Sequence, residues 1–162
     1  MGDSAVKDSR RYRRADLLCD VFSVICLIVM FLLTALYWSQ LPQQIPTHYG
    51  ISGQPDSWGG KNSIFILPAL SLFLYILLTA VRFMPDRFFN YPVPVTEENR
   101  ERLASLSREM LSVLKACFLA AFLPILIWEL KGEALPLWYM PLLLALIICP
   151  VTVYLVRMVR SK

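Results

Sequence analysis

The residues best suited to chemistry lie in the segment 40–61, between the first two hydrophobic stretches of the chain. This segment contains the only histidine, His48, followed by Asp56, Trp58 and Lys61. An imidazole and a carboxylate can form an acid–base pair or supply two ligands to a metal ion. A zinc site normally needs three or four protein ligands, and the segment has no cysteine and no second histidine. We therefore assign no metal site, but it stays open whether His48 binds a metal, pairs with Asp56 or only holds the loop through backbone hydrogen bonds.

Three prolines and four glycines between Gln40 and Lys61 predict a turned, compact loop rather than a flexible linker. Antiparallel helices are ordinarily joined by about two to eight residues, so a loop of this length favours a binding surface. The candidate binding residues are His48, Asp56, Trp58 and Lys61. Two of them have a simpler interpretation: Asp56 can bond its own backbone in a Pro-Asp turn, and Lys61 can anchor the following helix at the membrane interface.

A second candidate pair is formed by Asp20 and Lys115, which enter two different hydrophobic stretches from the same side. An unpaired carboxylate one turn into a membrane is costly, so the sequence predicts an intramembrane pair between them. The alternative is a pathway for protons or cations that uses Asp20.

The elements that must position these residues are four hydrophobic stretches, at about 17–38, 62–82, 111–129 and 135–156. The chain is 57% hydrophobic and only 17% charged, against about a quarter charged in ordinary soluble proteins. Each stretch has close to the roughly 20 residues that cross a bilayer. The third needs Lys115 to reach the interface, and an amphipathic segment that Thr96 caps leads into it.

The predicted fold class is therefore an all-α integral membrane protein with one membrane domain over residues 1–162. It has four transmembrane helices, a compact outer loop and an amphipathic inner extension of helix 3. Thirteen basic residues flank the predicted inner ends of the helices, and only Lys61 and Lys131 flank the outer ends. This asymmetry predicts a cell-membrane protein with both termini in the cytoplasm.

Two motifs resemble those of a bacterial membrane family of unknown function. The first runs from Leu41 to Tyr49 and continues from Gly53 to Lys61; the second runs from Phe89 to Asn99 and includes Asn90, Tyr91, Glu98 and Asn99. The same module resembles the N-terminal part of SdpI-type immunity proteins, which have additional spans. That resemblance implies protection against a secreted toxin peptide and a part in its signalling. In a binding or immunity protein, we expect the inner segment Asn90–Asn99 to act as a relay or an anchor.

The favoured function is a non-enzymatic binding or immunity-type protein that engages a peptide or membrane-protein partner through the outer loop. The alternative is a transporter for ions or small solutes that acts as a homo-oligomer. An enzyme is less favoured, because one histidine and scattered acids do not assemble a nucleophile, a base and a metal set. We predict no catalytic residues, no cofactor and no nucleic-acid partner; the lipid bilayer is the expected surroundings.

Overall fold

The computed structural model describes residues 14–161. Its helices are α1 (Arg14–Tyr37), α2 (Ile66–Arg82), α3 (Arg100–Lys131) and α4 (Tyr139–Val159). Two strands, β1 (Gln44–Tyr49) and β2 (Pro55–Gly60), form an antiparallel hairpin between α1 and α2. The basic residues before Arg14, which the predicted orientation partly uses, lie outside the described residues.

All four helices are long and apolar enough to cross a bilayer. The 24 residues of α1 extend about 36 Å and the 21 residues of α4 about 31 Å, at 1.5 Å per residue. Large apolar side chains on their surfaces are exposed, such as Leu18, Ile66 and Leu144. Such a surface is a liability in water but suits contact with lipid. The chain is a multi-pass membrane protein, as predicted.

Helix α3 is the central element, because it packs against each of the other three helices. Its 32 residues extend about 48 Å, well beyond the roughly 30 Å of hydrocarbon. The excess is at its start, where Leu103 and Leu106 pack against Val93 and Met158. The predicted amphipathic extension is thus one continuous helix with the third span.

The start of α3 differs from the prediction: regular helix begins at Arg100 and not directly after Thr96. Thr96 closes the turn that leads into α3. Its N–H donates to Asn99 Oδ1 (2.8 Å), its Oγ1 accepts from the Asn99 N–H (3.3 Å), and its carbonyl accepts from the Arg100 N–H (3.1 Å). This exchange has the pattern of a capping box, with asparagine in the place of the usual glutamate or glutamine. The local capping chemistry was predicted, but the first regular turn comes four residues later.

Pro124 interrupts the hydrogen-bond ladder inside α3, since proline has no N–H to donate to the carbonyl of Ala120. The neighbouring carbonyl, that of Ala121, accepts a hydrogen bond from the hydroxyl of Tyr139 at the start of α4. Tyr139 is almost fully buried. A side chain from the next helix therefore bonds the backbone of α3 one residue from the carbonyl that the proline leaves without its usual donor.

The segment between α1 and α2 is more regular than the predicted compact loop, because it pairs as a hairpin. A bulge at Thr47 interrupts the register between the pairs Pro46–Trp58 and His48–Ser57. The base of the hairpin is apolar and docks on the helices through Ile45, which is 1% exposed and packs with Met30 of α1 and Leu126 of α3. The tip is also held, since Gly53 O accepts a hydrogen bond of 2.8 Å from Leu135 N in the α3–α4 connection.

The hairpin and the α3–α4 connection lie at one end of the bundle, which we call the hairpin end. The α2–α3 connection, Arg14 and Ser161 lie at the other, which we call the opposite end. The four tryptophans lie at the hairpin end, where Trp128 and Trp138 pack edge to face with ring centroids 6.4 Å apart.

Candidate functional site

The hairpin brings together His48 and Asp56, the two leading polar residues of the sequence analysis. His48 Nδ1 lies 2.6 Å from Asp56 Oδ1, across the two strands. The side chains are 69% and 51% exposed, respectively. His48 thus bonds a side chain of the partner strand, and both groups remain largely accessible from outside the bundle.

Trp58 and the tip of the hairpin add apolar surface to this exposed face. Trp58 lies opposite Pro46 in the strand register and is 55% exposed. Ile51 at the tip is 94% exposed, the most exposed large apolar side chain of the described residues. The hairpin therefore presents a hydrogen-bonded histidine–aspartate pair, an indole and an isoleucine on a support that is buried at its base.

Lys61, the fourth predicted binding residue, lies apart from the other three at the base of the hairpin. Its Nζ is 4.0 Å from the centroid of the Trp38 ring, a cation–π contact. The Trp38 Nε1–H donates to Asn62 Oδ1 at 3.2 Å, which fixes the indole in place. These contacts join the end of α1 to the residues before α2, so Lys61 is placed to position the hairpin rather than to extend its exposed face.

The second motif lies at the opposite end, so the structure does not bring the two motifs together. Asn99 is buried, and its Nδ2–H donates to Pro94 O at 3.0 Å. Tyr91 is half-buried, stacks on Phe89 and packs against the cluster around Val93. Asn90 and Glu98 are exposed. Two members of the motif thus shape the α2–α3 connection and two face outward.

Asp20 and Lys115, the predicted intramembrane pair, are in contact. Lys115 Nζ lies 2.5 Å from Asp20 Oδ1, and the lysine side chain is 1% exposed. The same ammonium donates to Thr79 Oγ1 at 2.9 Å and lies 4.6 Å from the centroid of the Tyr75 ring. One lysine of α3 therefore holds a carboxylate of α1 and two side chains of α2.

Sequence reasoning missed a larger set of charges around this pair. Arg82 is buried; its Nη2–H donates to Asp16 Oδ2 at 2.8 Å and its Nη1–H to Ser112 Oγ at 2.5 Å. Arg108 pairs with Asp86, and its Nε–H donates to Arg82 O at 3.2 Å. Arg157 of α4 lies 3.6 Å from Glu109.

Together with Asp20 and Lys115 these residues form four ion pairs at the opposite end, which we call the ion-pair layer. In the sequence, Arg82, Arg108 and Arg157 are only three of the thirteen basic residues that predict the orientation. One signal was available: Asp16 begins α1 and Arg82 ends α2, and antiparallel neighbours bring those two positions to the same level.

Comparison with known proteins finds two similarities and assigns no activity. Residues 25–72 match the family model of a domain of unknown function (DUF1648). They run from within α1 through the whole hairpin into α2. An uncharacterized protein of the archaeon Archaeoglobus fulgidus is 29% identical over 149 aligned residues, which cover 82% of this chain and 81% of the relative. No solved structure matches the chain.

Proposed function

We propose that this protein is a non-enzymatic binding protein of the membrane and that the exposed face of the hairpin engages a peptide or envelope partner. One observation carries the proposal: the hairpin is fixed at its base and tip, yet its paired ionic residues point away from the bundle. Buried Ile45 and the bond from Leu135 to Gly53 hold it. His48 and Asp56 stay more than half exposed.

A held surface of this kind suits recognition, because little conformational freedom is lost when a partner binds. Its composition suits a peptide as well. Tryptophan is among the residues that most often dominate interface energies, and the His48–Asp56 pair offers both a donor and a charged acceptor. The proposal includes the predicted orientation, with the hairpin on the outer side of the membrane.

The SdpI-type resemblance supplies a concrete form of the proposal, in which the chain protects a cell against a secreted toxin peptide. We expect expression of the wild-type chain to raise the toxin concentration that a sensitive bacterial host survives. His48→Ala and Asp56→Ala should each remove that protection. An exposed ion pair contributes only about 0–1 kcal/mol, so membrane abundance and melting temperature should stay near wild type.

Ser52→Ala is the matched control, because Ser52 is exposed at the same hairpin tip. It should protect like the wild type. A harsher variant replaces the hairpin with a short Gly/Ser connector, and a folded, fully protective protein of that kind would place the function elsewhere. Absence of protection by the wild-type chain would reject the immunity form of the proposal.

Transport is the second candidate, and the buried contact between Asp20 and Lys115 is the observation that favours it. Ionisable groups inside a bundle often mark ion pathways. The ion-pair layer weakens this interpretation, since four carboxylates face four basic groups and the charges balance. Proton flux into proteoliposomes, lost in Asp20→Asn, would favour transport over binding.

A further inference from the structure

A second polar site lies beneath the hairpin, where β1 faces the start of α2 and the end of α3. It is a cavity of about 90 Å³ with a carboxylate, from Glu129, and three hydroxyl groups, from Thr47, Tyr49 and Ser63, in its lining. The cavity is large enough for several water molecules or a small organic cation. Thr47 and Tyr49 belong to the first motif, but nothing in the sequence pointed to Glu129, which is the last residue of the third hydrophobic stretch.

Glu129 is the unusual member of this lining. The residue is only 7% exposed, and none of the ion pairs or side-chain hydrogen bonds found among residues 14–161 involves its carboxylate. A largely buried carboxylate without a protein partner is disfavoured, because it has lost much of its hydration without a compensating contact. The ion-pair layer of the same molecule shows the contrast, since each of its carboxylates faces a basic group.

Tyr49 provides a second buried polar group on the wall of the same cavity. Within the described part of the chain its hydroxyl is buried and makes no hydrogen bond. Burial, and to a lesser extent the negative charge of Glu129, raises the pKa of Tyr49 to about 12. The phenol is therefore neutral at physiological pH, and its oxygen can accept a hydrogen bond as well as donate one.

We propose that this cavity binds a primary ammonium group, with Glu129 as its counter-ion and the hydroxyl oxygens of Tyr49 and Ser63 as further acceptors. An ammonium has three donors and one positive charge, which match one carboxylate and neighbouring hydroxyls. Ile66, Leu67 and Ile125 form an apolar wall that suits the alkyl carbon attached to the nitrogen.

Other ligand classes fit less well. Calcium takes six to eight oxygen ligands, usually with several carboxylates, and here only Glu129 contributes one. Within residues 14–161 no group of three or more His, Cys, Asp or Glu side chains is placed to hold a metal. An anion would be repelled by the carboxylate. Water alone could bridge Glu129 and Tyr49, so ammonium binding must be distinguished from a water-filled cavity.

The ammonium can come from a free amine or from the ethanolamine headgroup of a lipid. The cavity lies beside the end of α3, at the level of Trp128 and Trp138, and tryptophans of membrane proteins concentrate at the headgroup region. The chemistry is the same for both sources. This inference goes beyond the proposed function, because His48 and Asp56 do not line the cavity.

The test is thermal unfolding of the full-length protein in detergent, titrated with methylammonium chloride against sodium chloride at equal ionic strength. We expect a saturable rise in melting temperature with methylammonium only. Glu129→Gln should remove the rise, and Tyr49→Phe should weaken apparent affinity by about tenfold, the loss of one good hydrogen bond. Glu133→Gln is the matched control, because Glu133 is exposed in the next connection, and it should respond like the wild type.

Two further arms identify the source and the chemistry. A protein that ignores methylammonium but is stabilised in phosphatidylethanolamine nanodiscs relative to phosphatidylcholine, in a Glu129-dependent manner, supports the lipid source. Equal stabilisation by tetramethylammonium, which has no donors, would overturn the primary-ammonium assignment. A response to neither amine nor lipid would mean that the cavity holds only water.

If Glu129→Gln does not fold, Glu129→Asp is the substitute, because it keeps the negative charge but places the carboxylate one methylene farther from the cavity. An unweakened methylammonium response in Glu129→Asp would overturn the proposal. His48→Ala should keep the response, which separates this site from the hairpin's exposed face.

Discussion

Among the described residues, the charge pairs separate into an exposed histidine–aspartate pair on the hairpin and largely buried pairs at the opposite end. The His48–Asp56 pair is open to solvent, where an ion pair contributes little to stability. Lys115 is 1% exposed and its partner Asp20 16% exposed, so removal of either one leaves the other poorly solvated. The same kind of contact is therefore suited to recognition in one place and to holding helices together in the other.

The Asp20–Lys115 contact leads to a double-mutant prediction. Asp20→Asn or Lys115→Met alone should destabilise the protein by about 3 kcal/mol, because each leaves one uncompensated buried charge. The double variant should recover much of that loss. Thermal unfolding in detergent measures all three, and Asp56→Asn, the same change in an exposed pair, should alter stability by less than about 1 kcal/mol. Additive losses in the double variant would show that the two groups are not coupled and would strengthen the transport candidate.

Among the secondary-structure elements, the hairpin depends most on a single backbone position. Gly53 has φ of +78°, in the left-handed region that disfavours side chains. A Cβ there would also lie 2.2 Å from the carbonyl oxygen of Leu135. The glycine therefore allows the tip of the hairpin to approach the α3–α4 connection closely enough for the bond from Leu135 N to Gly53 O.

Gly53→Ala should accordingly destabilise the protein by about 2 kcal/mol or more, from the left-handed conformation and the backbone clash together. Gly60→Ala is the control, since Gly60 has φ of −64° and a Cβ there meets nothing within 4 Å. That variant should stay within about 1 kcal/mol of wild type. Melting temperature in detergent and the rate of proteolysis within the hairpin both report the effect. Equal stability of the two alanine variants would mean that the tip contact with Leu135 is unimportant.

The whole molecule is organised around α3, with lipid-suited surfaces on the helices around it. Exposed apolar side chains on α1, α2 and α4 form the outside of the bundle, and the buried ion pairs lie inside at one end. Each end of the bundle carries a different chemistry: tryptophans and the hairpin at one, arginines and carboxylates at the other. The predicted orientation assigns the arginine-rich end to the cytoplasm.

Cysteine labelling tests this orientation in a variant that lacks Cys19, Cys26, Cys117 and Cys149. Ser52→Cys at the hairpin tip should react with a membrane-impermeant maleimide in intact cells. Asn90→Cys, exposed in the α2–α3 connection, should react only after permeabilisation. Both should label fully in permeabilised cells, which controls for accessibility. Labelling of Asn90→Cys but not Ser52→Cys in intact cells would reverse the orientation and with it the outward-facing hairpin.

The sequence by itself determined the four helices and the extension of α3. Transfer from water to lipid is a free energy that adds up residue by residue along each segment, so composition and length suffice to locate the spans. The role of Thr96 as a helix cap could also be predicted, because a cap depends only on residues three positions apart in the chain. The proximity of Asp20 and Lys115 could be anticipated because both enter the membrane from the same side.

Only the tertiary structure decided which groups share a site. Strand pairing converts the loop into a hairpin, and its register, including the bulge at Thr47, sets His48 against Asp56. The partners of Arg82 and Arg108 depend on how α1, α2 and α3 are rotated about their axes, which packing along their whole lengths determines. The cavity at Glu129 has the same origin. The hairpin must fold back over the end of α3 before that carboxylate is buried, and no local pattern around Glu129 encodes the contact.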